Sequence, residues 1–110
     1  MSNLKFVRAS YDAPTRSVQF ETDDGRMLVR TGGSLCWRTN NCGNLSSPVD
    51  AKTNKPAPKR TQNWIGFAEV NNPEQHFFFI FPSYEEGRAQ LKASLQRKYA
   101  EYTLAARGLR

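Results

Sequence analysis

Histidine occurs once in this chain, at His76, and cysteine twice, at Cys36 and Cys42. A structural zinc site takes four Cys or His ligands at set spacings, so no metal centre is expected. His76 has no cysteine or acid at catalytic spacing and reads as a strand-edge residue. Glycine-rich phosphate loops are missing too. "TGGS" at 31–34 is too short and follows a strand without opening a helix, so no nucleotide cofactor is expected, nor any other. No apolar run is long enough to span a membrane, and "MSNLKFVRASYDAP" lacks the apolar core of a signal peptide. The chain is therefore made in the cytoplasm. It stays there, leaves by a non-signal route for the periplasm or a target cell wall, or is a piece of something longer. Acidic residues are in deficit, 10 against 16 basic, giving a net charge of +6. That balance suits an anionic partner such as nucleic acid, a membrane surface or a wall polymer, or serves solubility alone.

What is present is a globular composition. A hydrophobic fraction of 38% in 110 residues suffices for one modest core, so residues 1–110 read as a single domain. "LKFVRASY", "SVQFET" and "RMLVRT" alternate as strands and predict a three-stranded antiparallel meander over residues 4–31. "DAPTR" supplies the first turn. Asp24-Gly25 supplies the second, as a two-residue hairpin with positive φ at both positions. A long irregular stretch follows, and its Pro- and Lys-rich part, 46–62, predicts a mobile loop. "WIGFAEV" is a short strand, "NNPEQ" a turn, and "HFFFIFP" a buried strand.

From Ser83 onward the pattern is helical, with Ser83 and Glu86 in capping-box spacing and Gly108 as the stop. Tyr84, Leu91, Leu95, Tyr99 and Tyr102 form one apolar stripe. The fold class is therefore α+β: a meander, an Asn/Gly loop, a buried strand and one long C-terminal helix.

The loop "CWRTNNCGNL", 36–45, is the densest chemistry in the chain. Five residues separate the cysteines, which suits a small closed loop in an oxidising compartment or two reduced thiols in a reducing one. Asparagine tolerates left-handed backbone and both donates and accepts. Asn40, Asn41 and Asn44 would either satisfy nearby backbone or bind N-acetyl groups and sugar hydroxyls. Arg38 would meet a carboxylate in bidentate fashion. Trp37 would plug the core or stack on a sugar face.

Three segments together resemble the lysozyme-like, muramidase-like domains of phage-derived and secretion-associated proteins that act on peptidoglycan. They are "DDGRMLVRTGG" at 23–33, "WRTNNCGNL" at 37–45 and "FFIFPSYEEGRAQL" at 78–91. Cys42 stands where the family's loop has proline, and a Cys36–Cys42 staple would replace its rigidity. The family's further C-terminal helical segment does not follow, as expected of a short variant or a truncated domain. The resemblance implies peptidoglycan as the partner, delivery with a carrier or a cognate immunity protein, and glycoside cleavage. It also implies substrate contacts from Arg38, Asn40, Asn41 and Asn44.

Such cleavage takes a protonated carboxyl group at the leaving oxygen. Glu69 in "WIGFAEV" shares a strand face with Ile65 and Phe67, where desolvation would favour the protonated form. Glu85 lies in the first helical turn, where the helix dipole favours the charged form and an electrostatic role. Glu86 is explained by capping, and Asp23 and Asp24 by the turn.

Two other classes compete. One is a non-catalytic module: a wall binder, a structural phage part or a toxin inhibitor. The other is a nucleic-acid module, for which "IGFAEV" matches part of an RNA-binding strand signature. It carries Ile65 where a basic residue belongs and Glu69 where an aromatic one belongs.

Overall fold

The computed structural model describes residues 5–58, 63–71 and 75–106, with side chains through residue 100. It is an α+β fold of two small antiparallel sheets and a long C-terminal helix. The first sheet is the expected meander: β1 (Phe6–Asp12), β2 (Ser17–Thr22) and β3 (Met27–Thr31), in that order. Central β2 buries Val18 and Phe20 completely, because period-2 alternation puts both on one face. Edge strand β3 leaves Met27, Leu28 and Val29 exposed.

The β2–β3 turn differs from the two-residue form. Thr22 N–H donates to Arg26 O at 2.8 Å, closing a three-residue loop in which Gly25 alone has positive φ, at 86°. That is a type I turn completed by a left-handed glycine. Asp24 stays at negative φ and accepts from the Thr22 hydroxyl and from Arg26 Nε. The Thr22 hydroxyl is the main cause holding the Asp24 carboxyl below its ordinary pKa.

A short helix, α1 (Leu35–Thr39), follows β3 where the sequence predicts irregular loop. Ser34 caps it by accepting from Trp37 N–H at 3.1 Å. It ends because Asn40 turns left-handed, at φ 55° and ψ 33°. The second sheet has the order β4 (Ser46–Ser47), β6 (Gln75–Ile80), β5 (Gly66–Asn71). β6 is the buried strand that "HFFFIF" predicts, with Phe77, Phe79 and Ile80 enclosed. Beyond β4 the expected loop closes on itself through a Val49–Pro56 bridge and an Asp50 turn. Residues 59–62, the "NNPEQ" turn positions 72–74 and the Gly108 stop lie outside the described residues.

The two sheets meet along β1 and β5, where Ala9 N–H donates to Ile65 O at 3.1 Å. Val18, Phe20, Ala68 and Ile80 form the core at this junction, with Phe6, Tyr11 and Phe78 against them.

The last element, α2 (Tyr84–Ala106), begins where expected. Glu86 N–H donates to Ser83 Oγ at 3.0 Å, which is half of the capping box. The Glu86 carboxylate does not return to Ser83. It accepts from Asn63 and Gln90 instead. The stripe is placed differently from the expectation. Leu95 is 56% and Tyr99 72% exposed, Tyr84 is exposed as well, and the Tyr102 side chain lies outside the described residues. The helix docks through Gly87, which is buried against the Asn40 carbonyl and the Phe81 ring.

Candidate functional site

The asparagine loop is held by what its amides do. Asn40 Nδ2 donates to Phe81 O at 3.0 Å, and Phe81 N–H donates back to Thr39 O at 2.9 Å. Asn41 Nδ2 donates to Phe79 O at 2.9 Å and to Leu45 O at 2.8 Å, and Asn41 Oδ1 accepts from Leu45 N–H at 3.0 Å. Phe79 N–H completes the set by donating to Leu45 O at 3.0 Å. Residues 39–45 therefore cover the open edge of β6 just beyond β4, with side-chain amides in place of a strand's own backbone. Cys36 and Cys42 are joined by a disulfide that ties α1 to the far side of this clasp.

Of the four residues expected to touch substrate, Asn40 and Asn41 are thus buried and their amides engaged internally. Asn44 is exposed and left-handed, at φ 50°, so its backbone shapes the turn while its side chain faces solvent.

Arg38 is also enclosed, at 8% exposure, and its guanidinium NH1 donates to Gly32 O at 2.8 Å and Gly33 O at 2.7 Å. Both glycines have positive φ, which lets the chain turn its carbonyls onto this one guanidinium. Trp37 is half exposed and lies under the Arg30 guanidinium, 5.3 Å from the ring centroid. Arg30 also lies over Phe20 and Phe6 and donates to Trp37 O and Asn40 Oδ1. Burial pushes its pKa down from the ordinary arginine value. The aromatic run in β1 and β2 hinted at such a cation, but its partner lay in a different segment and the sequence reading missed it.

The carboxylates sit apart. Glu69 and Arg38 line one open cleft of about 530 Å³, together with Tyr11, Arg16, Leu35 and Asn71. Glu69 is the one carboxylate among the described lining residues. Its carboxylate is exposed on β5, not enclosed between Ile65 and Phe67, and Oε2 accepts from Asn71 at 3.3 Å and Gln75 at 3.1 Å. Glu85 lines a different surface, the groove along α2 with Tyr84, Arg88 and Leu91. A smaller cavity between this helix and the clasp is lined by Asn40, Cys42 and Arg88.

Geometry therefore brings together Arg38 and Glu69 from the expected set and adds Tyr11 and Arg16, which the sequence reading used only as strand and turn. No cluster that could hold a metal ion occurs among the described residues, and no helix there is long and apolar enough to cross a membrane. The chain matches no family model, no curated protein and no solved structure.

Proposed function

We propose that this is a peptidoglycan-targeting protein that recognises the wall polymer in the cleft between Arg38 and Glu69, with muramidase-like glycoside cleavage as its chemistry. The observation that carries the reading is this pairing. Arg38 from α1, nearly buried, and Glu69 from β5, exposed, line one open cleft. The cleft is of a size that receives a sugar or a short peptide. Support comes also from the three motifs that resemble wall-acting domains, and from a net charge of +6 that suits an anionic wall.

In this scheme Glu69 is the acid. It gives its proton to the glycosidic oxygen as the bond to the anomeric carbon breaks; water then adds to that carbon and its released proton returns to the Glu69 carboxylate. Glu85, in another groove, acts at most electrostatically. Delivery to the periplasm or a target wall by a non-signal route, with a carrier or immunity protein, belongs to the same proposal.

A second reading is a wall-binding module without catalysis. One observation favours it. Glycosidases of this kind generally place a second carboxylate opposite the acid, to take the proton of the attacking water. Among the described residues the cleft offers Glu69 alone.

Incubation with purified peptidoglycan separates the two. A hydrolase releases soluble muropeptides, and Glu69→Gln lowers the rate by roughly 10²-fold or more, well beyond any weakening of cosedimentation with the wall. Cosedimentation without release identifies the binding module. If the protein neither sediments with the wall nor releases fragments, the proposal is wrong. Binding to oligonucleotides that falls steeply with salt would then favour the nucleic-acid class.

A further inference from the structure

Arg38 is a buried cation with no counter-ion among the described residues. Only NH1 of its guanidinium has partners among the described residues, and those are two backbone carbonyls. Nε is enclosed and makes no hydrogen bond there. Neither ion pair among the described residues involves it: they are Arg8–Glu21 and Arg26–Asp24. Taking a guanidinium out of water is costly unless an anion and further acceptors replace the lost solvation. Arg30 shows the alternative within the same domain. Its charge rests on three aromatic faces, a backbone carbonyl and an amide oxygen. Arg38 has two backbone carbonyls on NH1 and, among the described residues, no aromatic face and no partner at Nε, yet it lines an open cleft.

The other charges of that cleft are arranged around this deficit. Arg16, left-handed at φ 53° in the β1–β2 turn, adds an exposed arginine beside the buried one. Glu69 lines the same cleft without an ion pair to either arginine. Its Oε2 is held by Asn71 and Gln75, while Oε1 accepts from no donor among the described residues. Two unpaired guanidiniums and one half-satisfied carboxylate in one cleft suit neither a bare anion nor a bare cation. Glu69 would repel a multiply charged anion, and the arginines would repel an amine.

We infer that the cleft binds a short zwitterionic peptide, its terminal carboxylate at Arg38 and Arg16 and its free ammonium at Glu69. Tyr11, Leu35 and Val70 supply the apolar wall for a small side chain. The inference rests on the second, wall-binding reading for the ligand's source, a wall peptide that carries both charges, because a Glu69 that pairs with an ammonium is ionised and is not the protonated acid of the cleavage scheme. The charge pattern itself is independent of the source.

The test is titration of the isotope-labelled protein with alanyl-alanine, followed by NMR, beside its C-terminal amide and its N-acetyl derivative. The expected result is a shift of the Arg38 Nε–H signal and of residues 32–33, with the free dipeptide at least tenfold tighter than either blocked form. Arg16→Asn and Glu69→Gln, both at exposed positions, should each weaken it about tenfold. Equal binding of the three compounds, no binding, or indifference to both substitutions overturns the inference. Wall cosedimentation is scored separately. Dipeptide binding without wall binding ends the wall reading and leaves the cleft chemistry standing. Wall binding with no dipeptide discrimination does the reverse.

Discussion

Asn41→Asp is expected to cost most of the domain's stability. Asn41 is 1% exposed and its amide makes three hydrogen bonds, two as donor to Phe79 O and Leu45 O and one as acceptor from Leu45 N–H. Aspartate keeps the acceptor and loses both donors. The buried Phe79 carbonyl is then unpaired, Leu45 O keeps only the Phe79 N–H, and a carboxylate faces both carbonyls at hydrogen-bond range. The orphaned carbonyl costs about 1–3 kcal/mol, and the buried carboxylate without a partner adds about as much or more. A loss of roughly 3–6 kcal/mol is large against the ~5–15 kcal/mol that a domain commonly has. At this size each kcal/mol moves Tm by about 4–8 °C, so thermal unfolding followed by circular dichroism should show a fall of ~15 °C or more. Asn44→Gly is the control. Its side chain faces solvent and glycine accepts φ near 50° freely, so Tm should scarcely move. Equal losses at 41 and 44 would mean that the amides of this loop are not placed as described.

Gly87→Ala is expected to undock α2 from the clasp. Alanine favours an isolated helix by ~1 kcal/mol over glycine, so propensity alone predicts stabilisation. Close packing predicts the opposite. A Cβ at position 87 would overlap the Asn40 carbonyl oxygen and press on the Phe81 ring. The oxygen is backbone, fixed by the clasp on β6, and cannot step aside as a side chain could. Overpacking of this kind costs about 1–3 kcal/mol and sometimes more, so it outweighs the propensity gain. The expected outcome is unchanged helicity in far-UV circular dichroism with faster hydrogen exchange at Thr39 and Phe81. A rise in Tm would show that the helix does not rest on Asn40.

The parts of the fold that were legible in the sequence are those built from local periodicity. Val18 and Phe20 alternate, "FFFIF" at 77–81 is apolar throughout, and Ser83 precedes a long run without proline. The misreadings have separate physical causes. α1 is five residues long, too short for periodicity to declare itself, although Ser34 and Asn40 are sound cap residues at its ends. The stripe on α2 has helical spacing, but spacing does not say which face docks. That was decided by Gly87, whose missing side chain admits a carbonyl. Asparagines beside glycine have the same composition whether they serve a ligand or the backbone. Their partners, Phe79 and Phe81, lie 38 and 41 positions downstream, beyond the reach of any local pattern.

The cleft was half visible. Arg38 and Glu69 were singled out for separate reasons, and the packing of β5 against β1 brings them to one surface. Tyr11 and Arg16 passed as strand and turn because nothing local marks a turn arginine as part of a site. Glu85 stayed apart because it lies on the helix face away from this cleft.

These assignments divide the chemistry-bearing residues into two sets. Asn40 and Asn41 build the fold, and Arg38, Arg16 and Glu69 are the residues proposed to meet a ligand. An NMR perturbation map with soluble muropeptides tests that division most directly. The account predicts shifts gathered on Tyr11, Arg16, Glu69 and Asn71, with the side-chain amides of Asn40 and Asn41 unmoved. Shifts centred on those two amides and Asn44, with the Glu69 surface silent, would contradict it.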